Sequence, residues 1–345
     1  MPRPALTRLT LTLALALVPL AAASGPDRSE TIDAILDTHV LPGFARLEAE
    51  TGALAGAAQA DCAPTSPPLR DAYDDAFDAW MGVSHLRFDP TETGNRAYAL
   101  AYWPDTRGAT PKALKALLRG GDPALNDPDA FAMVSVAARG FYALELLLYD
   151  PGLGAGAADA DTLCALIRAG TADIHRNAAA ILDDWETSQA EQMRRPGPDS
   201  PYKDQREVMQ TFFGALIEGL KFDEEVRLGR PLGSFDRPRP ERAEAWRSGR
   251  SLRNLELSLE AERALADLMA GAAPDSRDAL LGAFDRALET ADTLDDPVFA
   301  GVADPEGRLR VEILQQQIRA IVEAGRADLG PALGVAAGFN SLDGD

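Results

Sequence analysis

The polar residues most suggestive of chemistry lie in residues 139–149, whose sequence is Arg-Gly-Phe-Tyr-Ala-Leu-Glu-Leu-Leu-Leu-Tyr. Tyr142 and Glu145 are three positions apart, so in a helix their side chains lie on the same face. A carboxylate is costly to bury, and Glu145 in this apolar run therefore needs a cation, a hydrogen bond or water. Gly140 weakens a helix by about 1 kcal/mol relative to Ala and indicates close approach by another helix or a ligand.

Two interpretations of the Tyr142 and Glu145 pair follow from its chemistry. A phenol with an ordinary pKa of about 10 is a poor ligand for zinc, whereas ferric iron, a hard cation, could bind the phenol and the carboxylate together. Alternatively, Tyr142 forms a hydrogen bond to Glu145 or to a cationic partner, and no metal is bound. The sequence leaves both interpretations open.

Several other polar residues are candidate ligand-binding partners for Glu145. Arg139 precedes Tyr142 by three positions, and the rest lie in an earlier helical pattern or in a segment of the second half. The alternative for Trp80 is core packing, and for the others a surface or capping role. These candidates are Arg139, Asp78, Trp80, Ser248, Ser251 and Arg253.

Common hydrolase motifs are missing from the sequence. The chain has three histidines, His39, His85 and His175, and no His-Glu-x-x-His motif. It also has no Gly-x-Ser-x-Gly motif and no phosphate-binding loop. The histidines are interpreted as residues with local structural roles, with a position facing a cleft as the alternative for His85. Peptide hydrolysis is not expected.

The elements that position these residues are predicted to be helical throughout. Apolar residues recur at spacings of three and four, and alternating β-branched runs are missing. The fold class is therefore all-α, with two packed helical bundles. The predicted helices cover residues 29–47 (interrupted near Pro42), 69–83, 111–119, 128–149, 161–186, 203–228, 241–269, 277–293 and 308–329.

The charge balance restricts the classes of partner. The 345 residues include 34 Lys and Arg against 54 Asp and Glu, which gives a net charge of −20. Such a chain repels phosphate backbones and anionic lipid headgroups. Nucleic-acid binding is excluded as the main task.

The N-terminus has the pattern of a cleaved signal peptide over residues 1–23. Arg3 and Arg8 precede an apolar run over residues 9–20, and three alanines follow at 21–23. The expected location is the bacterial periplasm. The remaining chain is divided into an N-terminal half, 24–155, which contains the motif helix, and a C-terminal half, 156–345, at the Gly/Ala stretch near residue 155.

Cys62 and Cys164 are the two cysteines of the chain. In an oxidising compartment, and without the short spacing of a metal knuckle or a redox pair, they are predicted to form a structural disulfide. The alternative is two buried free thiols.

The chain resembles the imelysin family, exported bacterial proteins grouped by a Gly-x-His-x-x-Glu motif. Gly140 and Glu145 match this motif, and Tyr142 replaces its His. Other similar segments are Tyr-Trp-Pro-Asp at 102–105, the stretch 244–253 and the C-terminal stretch 333–345. The resemblance implies two pseudo-symmetric helical bundles with the motif helix near their interface, and a link to iron uptake.

Three functional hypotheses follow. The first is participation in iron acquisition, with iron, an iron complex or a membrane-bound uptake component held in a cleft lined by Tyr142 and Glu145 between the two halves. The second is a divergent metallopeptidase, which the replacement of the motif His by Tyr142 weakens. The third is an interaction protein that binds no ion. Iron is the one cofactor that the resemblance suggests.

Overall fold

The computed structural model describes residues 27–120, 122–153 and 159–336. Over these ranges the chain is helical and contains no β-strand, which confirms the all-α prediction. No helix in the same ranges has the length and apolar character needed to cross a membrane. The predicted signal peptide, residues 1–23, lies outside the described residues.

The first part of the chain supplies the helices around the motif segment. Several are single turns, and the long ones are α2, α3 and α8. In chain order they are α1 (Ser29–Ile35), α2 (Leu41–Ala60), α3 (Pro67–Met81), α4 (Arg96–Leu100), α5 (Ala109–Leu117), α6 (Pro128–Ala132), α7 (Gly140–Tyr149), α8 (Ala160–Asp184) and α9 (Ala190–Arg194).

The second part of the chain, as described up to residue 336, is built on longer helices joined to short ones. They are α10 (Gln205–Lys221), α11 (Gly229–Leu232), α12 (Ser251–Ala270), α13 (Pro274–Asp292), α14 (Pro305–Ala324) and α15 (Gly330–Leu333).

Within the described ranges, four π-helical segments join consecutive α-helices without a break in the chain direction. The interruption predicted near Pro42 is one of them, and the helix continues beyond it to Ala60. Such segments widen the helix by one residue and often occur at functional sites. They are Leu36–Val40, Trp185–Gln189, Phe222–Leu228 and Gly325–Leu329.

Aspartates define where several long helices begin. The carboxylates of Asp159, Asp204 and Asp304 accept backbone N–H groups in the first turns of α8, α10 and α14. Those N–H groups have no partner inside the helix, so an oxygen acceptor at this position stabilises the start by about 1 kcal/mol. The helix starts are therefore set locally.

The helices form two packed bundles, as predicted. In the first, α2 packs against α3 and α8, and α7 packs against α8. In the second, α12 packs against α10 and α13, and α14 packs against α10 and α13. The bundles meet where α1 and α3 contact α12. The apolar stripe predicted on α3, namely Leu69, Tyr73, Phe77 and Trp80, is buried.

The packing of α8 differs from the predicted division of the chain. The division at residues 155 and 156 assigns this helix to the C-terminal half, yet it packs against α2 and α7 of the first bundle. By packing, the bundles separate after α9, which ends at Arg194. The helices on either side of residue 155, α7 and α8, thus belong to one bundle.

The single helix predicted over residues 128–149 is wrong. The chain instead forms α6, a short 3₁₀ turn at Val136–Ala138 and then α7. Arg139 is extended, and Gly140 has a φ of +78°, which a residue with a side chain rarely adopts. Gly140 therefore begins the motif helix and does not lie in its middle.

The helix predicted over residues 241–269 is also shorter than expected. Only its part from Ser251 onward is helical, as α12. Upstream of it, Ala245 and Gly249 have φ values of +45° and +78°. Residues 243–250 are thus an irregular segment between the 3₁₀ turn Pro240–Arg242 and α12.

The predicted disulfide between Cys62 and Cys164 is confirmed. It joins the end of α2 to α8, with a Cα–Cα distance of 5.2 Å and a sequence separation of 102 residues. The bond closes a long loop in the unfolded chain, and such cross-links typically stabilise proteins by about 2–4 kcal/mol.

We expect reduction of the Cys62–Cys164 bond to lower the melting temperature by several degrees, because the unfolded chain regains the entropy of the open loop. Thermal unfolding of the purified protein with and without reductant measures this difference. The Cys62→Ala/Cys164→Ala double variant, which should melt at the temperature of the reduced protein, is the control. An unchanged melting temperature on reduction would contradict the expectation.

Candidate functional site

The motif helix α7 begins against the backbone of α4. A Cβ at Gly140 would lie 2.2 Å from the carbonyl oxygen of Leu100 and 2.5 Å from that of Ala99. The close approach predicted for Gly140 is therefore correct, and the approaching group is backbone. This contact sets the start of α7 and hence the direction in which Tyr142 and Glu145 point.

Tyr142 donates its phenolic hydrogen bond to the carboxylate of Glu244. Its ring is stacked on Trp103 at 6.0 Å and packs edge-to-face on Phe77 at 5.4 Å between ring centroids. Burial, together with the charge of Glu244, raises the pKa of the phenol well above its usual value. Tyr142 is thus a neutral hydrogen-bond donor.

Glu145 is 4% exposed and is bonded to a different residue. Its Oε1 accepts hydrogen bonds from the Ser248 amide at 2.9 Å and from the Ser248 hydroxyl at 3.0 Å. Burial raises the pKa of Glu145, and the Ser248 bonds offset this in part. Of the partners predicted for Glu145, Ser248 binds it, whereas Arg139 and Arg253 pair with other carboxylates.

Glu244 is the centre of a buried polar network that also contains Tyr142. Its Oε2 accepts from Arg227 Nε at 2.9 Å and from Asn254 Nδ2 at 3.2 Å. Its backbone carbonyl accepts the hydroxyl of Ser251 at 2.5 Å, so this predicted residue stabilises the same segment. The network therefore connects α7 of the first bundle to α12 and to Arg227 of the second.

Arg227 supplies the positive charge of this network. Its guanidinium also donates to Asp223 and, at 3.0 Å, to the hydroxyl of Ser258. Glu244, Arg227 and Asp223 were not predicted as site residues. The spacing of Asp223 and Arg227, four positions apart in a helical pattern, is a signal that could have identified them.

A pair of acids extends the network further into the second bundle. Asp223 and Glu262 are both fully buried, and Asp223 Oδ2 and Glu262 Oε2 receive no donor from another residue. Burial and the neighbouring Asp223 raise the pKa of Glu262 well above its usual value, and burial raises the pKa of Asp223 to about 6. A proton on Glu262 allows the two carboxyl groups to form a hydrogen bond.

The remaining predicted residues lie in other environments. Arg139 forms a two-point ion pair with Asp173 of α8, at 2.7 and 3.0 Å. Asp78 binds Arg250 and Arg253, and although burial opposes it, their hydrogen bonds hold the pKa of Asp78 below its usual value. This cluster links α3 to α12. Trp80 is part of the hydrophobic core.

The donor set around Tyr142 and Glu145 does not fit a resident metal ion. The two side chains are bonded to different residues, and Arg227 already neutralises Glu244. Within the ranges that the structure describes, no three His, Cys, Asp or Glu residues form a group that could hold a metal.

Two cavities lie in other parts of the molecule. One, of about 410 Å³, runs along α8 beside Cys164 and Arg168. The other, of about 370 Å³, lies beside Arg28 and Gly271. Neither is lined by Tyr142 or Glu145, both of which are buried at the contact between the bundles. The predicted cleft at this contact stays a prediction.

Comparisons with known proteins identify similar chains. A family model described as Imelysin matches residues 40–324. An imelysin-like protein from Psychrobacter arcticum has 18% identity and a TM-score of 0.74, with 90% of this chain and 98% of that chain covered. A protein from Parabacteroides distasonis has 14% identity and a TM-score of 0.72, with 91% and 96% covered. It is described provisionally as an iron-regulated protein A precursor.

At these identities the solved structures show a shared fold. No curated protein matches the chain.

We predict that Glu262→Gln becomes more stable than the wild type as pH rises. Because the folded state raises the pKa of Glu262, the stabilisation from its protonation is complete below its unfolded pKa of about 4.3 and is lost as pH rises through the folded value. A Gln mimics the neutral acid at every pH. We expect the stability of the variant relative to the wild type to increase between pH 5 and pH 8.

Urea unfolding at the two pH values measures this gain. Glu260→Gln, on the exposed side of the same helix, is the matched control and should show no such gain. A Glu262→Gln protein that is destabilised equally at both pH values would show that the carboxyl is ionised in the fold.

Proposed function

Because the chain belongs to the imelysin family, we propose that it is an exported binding protein of iron acquisition whose motif helix positions a recognition segment for an iron complex. The recognition segment is defined as residues 243–250. Export to the periplasm through residues 1–23 is part of this proposal.

One observation carries the proposal. The two polar side chains on one face of α7 end on the same segment, Tyr142 on Glu244 and Glu145 on Ser248. Two buried hydrogen-bonded contacts, four residues apart in the segment, hold it against the motif helix. The motif therefore acts as a clamp for an otherwise irregular stretch of chain.

Between the two clamped residues, the recognition segment presents an aromatic residue and a cation at the surface. Trp246 is 37% exposed, and the guanidinium carbon of Arg247 lies 4.5 Å from its ring centroid. Arg247 also pairs with Asp150 at the end of α7, which orients it. An aromatic side chain with an adjacent guanidinium suits an anionic ligand that carries carboxylates.

Ferric iron bound by a carboxylate chelator is a ligand of this chemical class. The provisional description of the Parabacteroides distasonis protein as iron-regulated supports a role in iron acquisition. The two motif side chains that a hydrolytic metal site would use as ligands form hydrogen bonds to other residues. Tyr142 is neutral and donates to Glu244, and Glu145 accepts from Ser248. A binding role therefore accounts for these residues better than peptide hydrolysis does.

We predict that Trp246→Ala and Glu145→Leu each abolish function while the protein stays folded. Trp246→Ala removes the exposed ring. Glu145→Leu removes the carboxylate that holds the recognition segment. The Glu145→Leu protein should still fold, because an apolar residue in place of a buried acid is often tolerated. The measurement is growth in iron-limited medium of a strain that lacks the gene and is complemented with each variant. Titration of the purified variants with ferric citrate follows binding directly.

The matched control is Leu309→Ala, which removes an exposed apolar side chain from α14, and it should restore growth as the wild type does. Normal growth of the deletion strain without iron would overturn the proposal, as would full activity of Trp246→Ala. Zinc-dependent cleavage of casein that Glu145→Gln abolishes would establish the metallopeptidase hypothesis instead. Growth rescue without ferric citrate binding would favour an uptake component as the partner.

A further inference from the structure

The stretch that precedes the recognition segment, residues 230–242, is rich in arginine. It contains Arg230, Arg237, Arg239 and Arg242 and two acidic residues, in a chain whose net charge is −20. Within the part of the chain that the structure describes, none of these four arginines forms an ion pair with a carboxylate. The described residues thus supply no paired counter-charge for this stretch.

Backbone contacts bring two of these arginines close to each other. The amide of Arg239 donates to the carbonyl of Pro231 at 2.8 Å, which closes the loop between them. The 3₁₀ turn Pro240–Arg242 packs against α11 as a consequence. Arg230 on α11 and Arg242 at the end of the turn are therefore neighbours in space.

Arg230 lies over an aromatic ring beside the motif helix. Its guanidinium carbon is 5.6 Å from the centroid of the Trp103 ring. The same ring is stacked on Tyr142 and packs edge-to-face on Phe222 at 5.9 Å between centroids. Trp103 and Arg230 are both partly exposed, so the ring and the guanidinium border solvent. The arginines therefore adjoin Tyr142 through one aromatic ring.

The surroundings of Arg230 leave its positive charge without compensation. Its Nε atom is buried and has no hydrogen-bond partner. Burial lowers the pKa of Arg230, and the positive charge of Arg242 lowers it further. The contact with Trp103 offsets only part of this cost, because an aromatic ring accepts no ordinary hydrogen bond. An anion that contacts both guanidinium groups would remove their repulsion and supply the missing acceptor.

We propose that Arg230 and Arg242, with the Trp103 ring beside them, form a binding site for a small oxyanion that carries at least two negative charges, such as a polycarboxylate or a phosphate. Guanidinium groups donate pairs of N–H groups to the oxygens of carboxylates and phosphates alike. Two guanidinium groups match two or more negative charges. The acidic charge of the chain as a whole repels such anions, so they bind where cations are concentrated.

This site uses side chains other than those of the recognition segment, and the inference does not rest on a role in iron acquisition. Tyr142 connects the two regions, since it is bonded to Glu244 and stacked on Trp103. The probes that test the site contain no iron. Failure of the anion site and failure of the proposed function are therefore separate results.

Isothermal titration calorimetry of the iron-free protein with citrate and with inorganic phosphate, at low ionic strength, tests the proposal. We expect one anion per chain with at least one probe, and the tighter probe identifies the ligand as carboxylate or phosphate. Arg230→Gln and Arg242→Gln should each weaken binding about 10-fold or more, because each removes charge-assisted hydrogen bonds.

The matched control is Arg237→Gln, which removes the same charge from an exposed position in the same stretch and should leave the affinity unchanged. Trp246→Ala should also bind the probe as the wild type does. NMR locates the anion, since the indole N–H signal of Trp103 should shift on addition of the probe and that of Trp246 should not.

Arg242→Gln, at an exposed position, keeps the test valid if Arg230→Gln fails to fold. The proposal is overturned if the folded wild type binds neither probe, or if Arg242→Gln binds as tightly as the wild type. Equal weakening in Arg237→Gln would show that the anion responds only to net charge, and loss of binding in Trp246→Ala would place it on the recognition segment. Either result would contradict the proposed site.

Discussion

The fold depends on one constraint: a carboxylate removed from water must be paired. Glu244 is buried at the contact between the bundles and is held by Tyr142 from the first bundle and by Arg227 from the second. Such buried pairs add little net stability compared with apolar packing, but leaving one unpaired is costly. The network therefore favours one relative arrangement of the bundles and places the recognition segment between them.

Local patterns predicted most of the helices, the need of Glu145 for a partner and one such partner, Ser248, but they did not predict Glu244 or Arg227. The buried stripe of α3 and the need of Glu145 for a partner both follow from spacing and residue type. The helix breaks at Gly140 and Gly249, where φ is positive, were not predicted, because a glycine inside a periodic apolar pattern is also compatible with a continuous helix. The pairing of Tyr142 with Glu244, 102 positions away, depends on how the bundles meet.

The replacement of the motif His by Tyr142 is consistent with this arrangement. A buried phenol donates one hydrogen bond and stays neutral, which suits the charged Glu244 that Arg227 already neutralises. The imidazole nitrogens that the structure brings together, those of His39 and His85, lie elsewhere in the molecule.

The most direct measurement of the central claim is hydrogen exchange at the Ser248 amide, which donates to Glu145. If α7 clamps the recognition segment, this amide exchanges slowly in the wild type and at least 10-fold faster in Glu145→Leu, while the Leu259 amide inside α12 is unchanged. Equal exchange of Ser248 in the two proteins would show that the motif helix does not hold the segment.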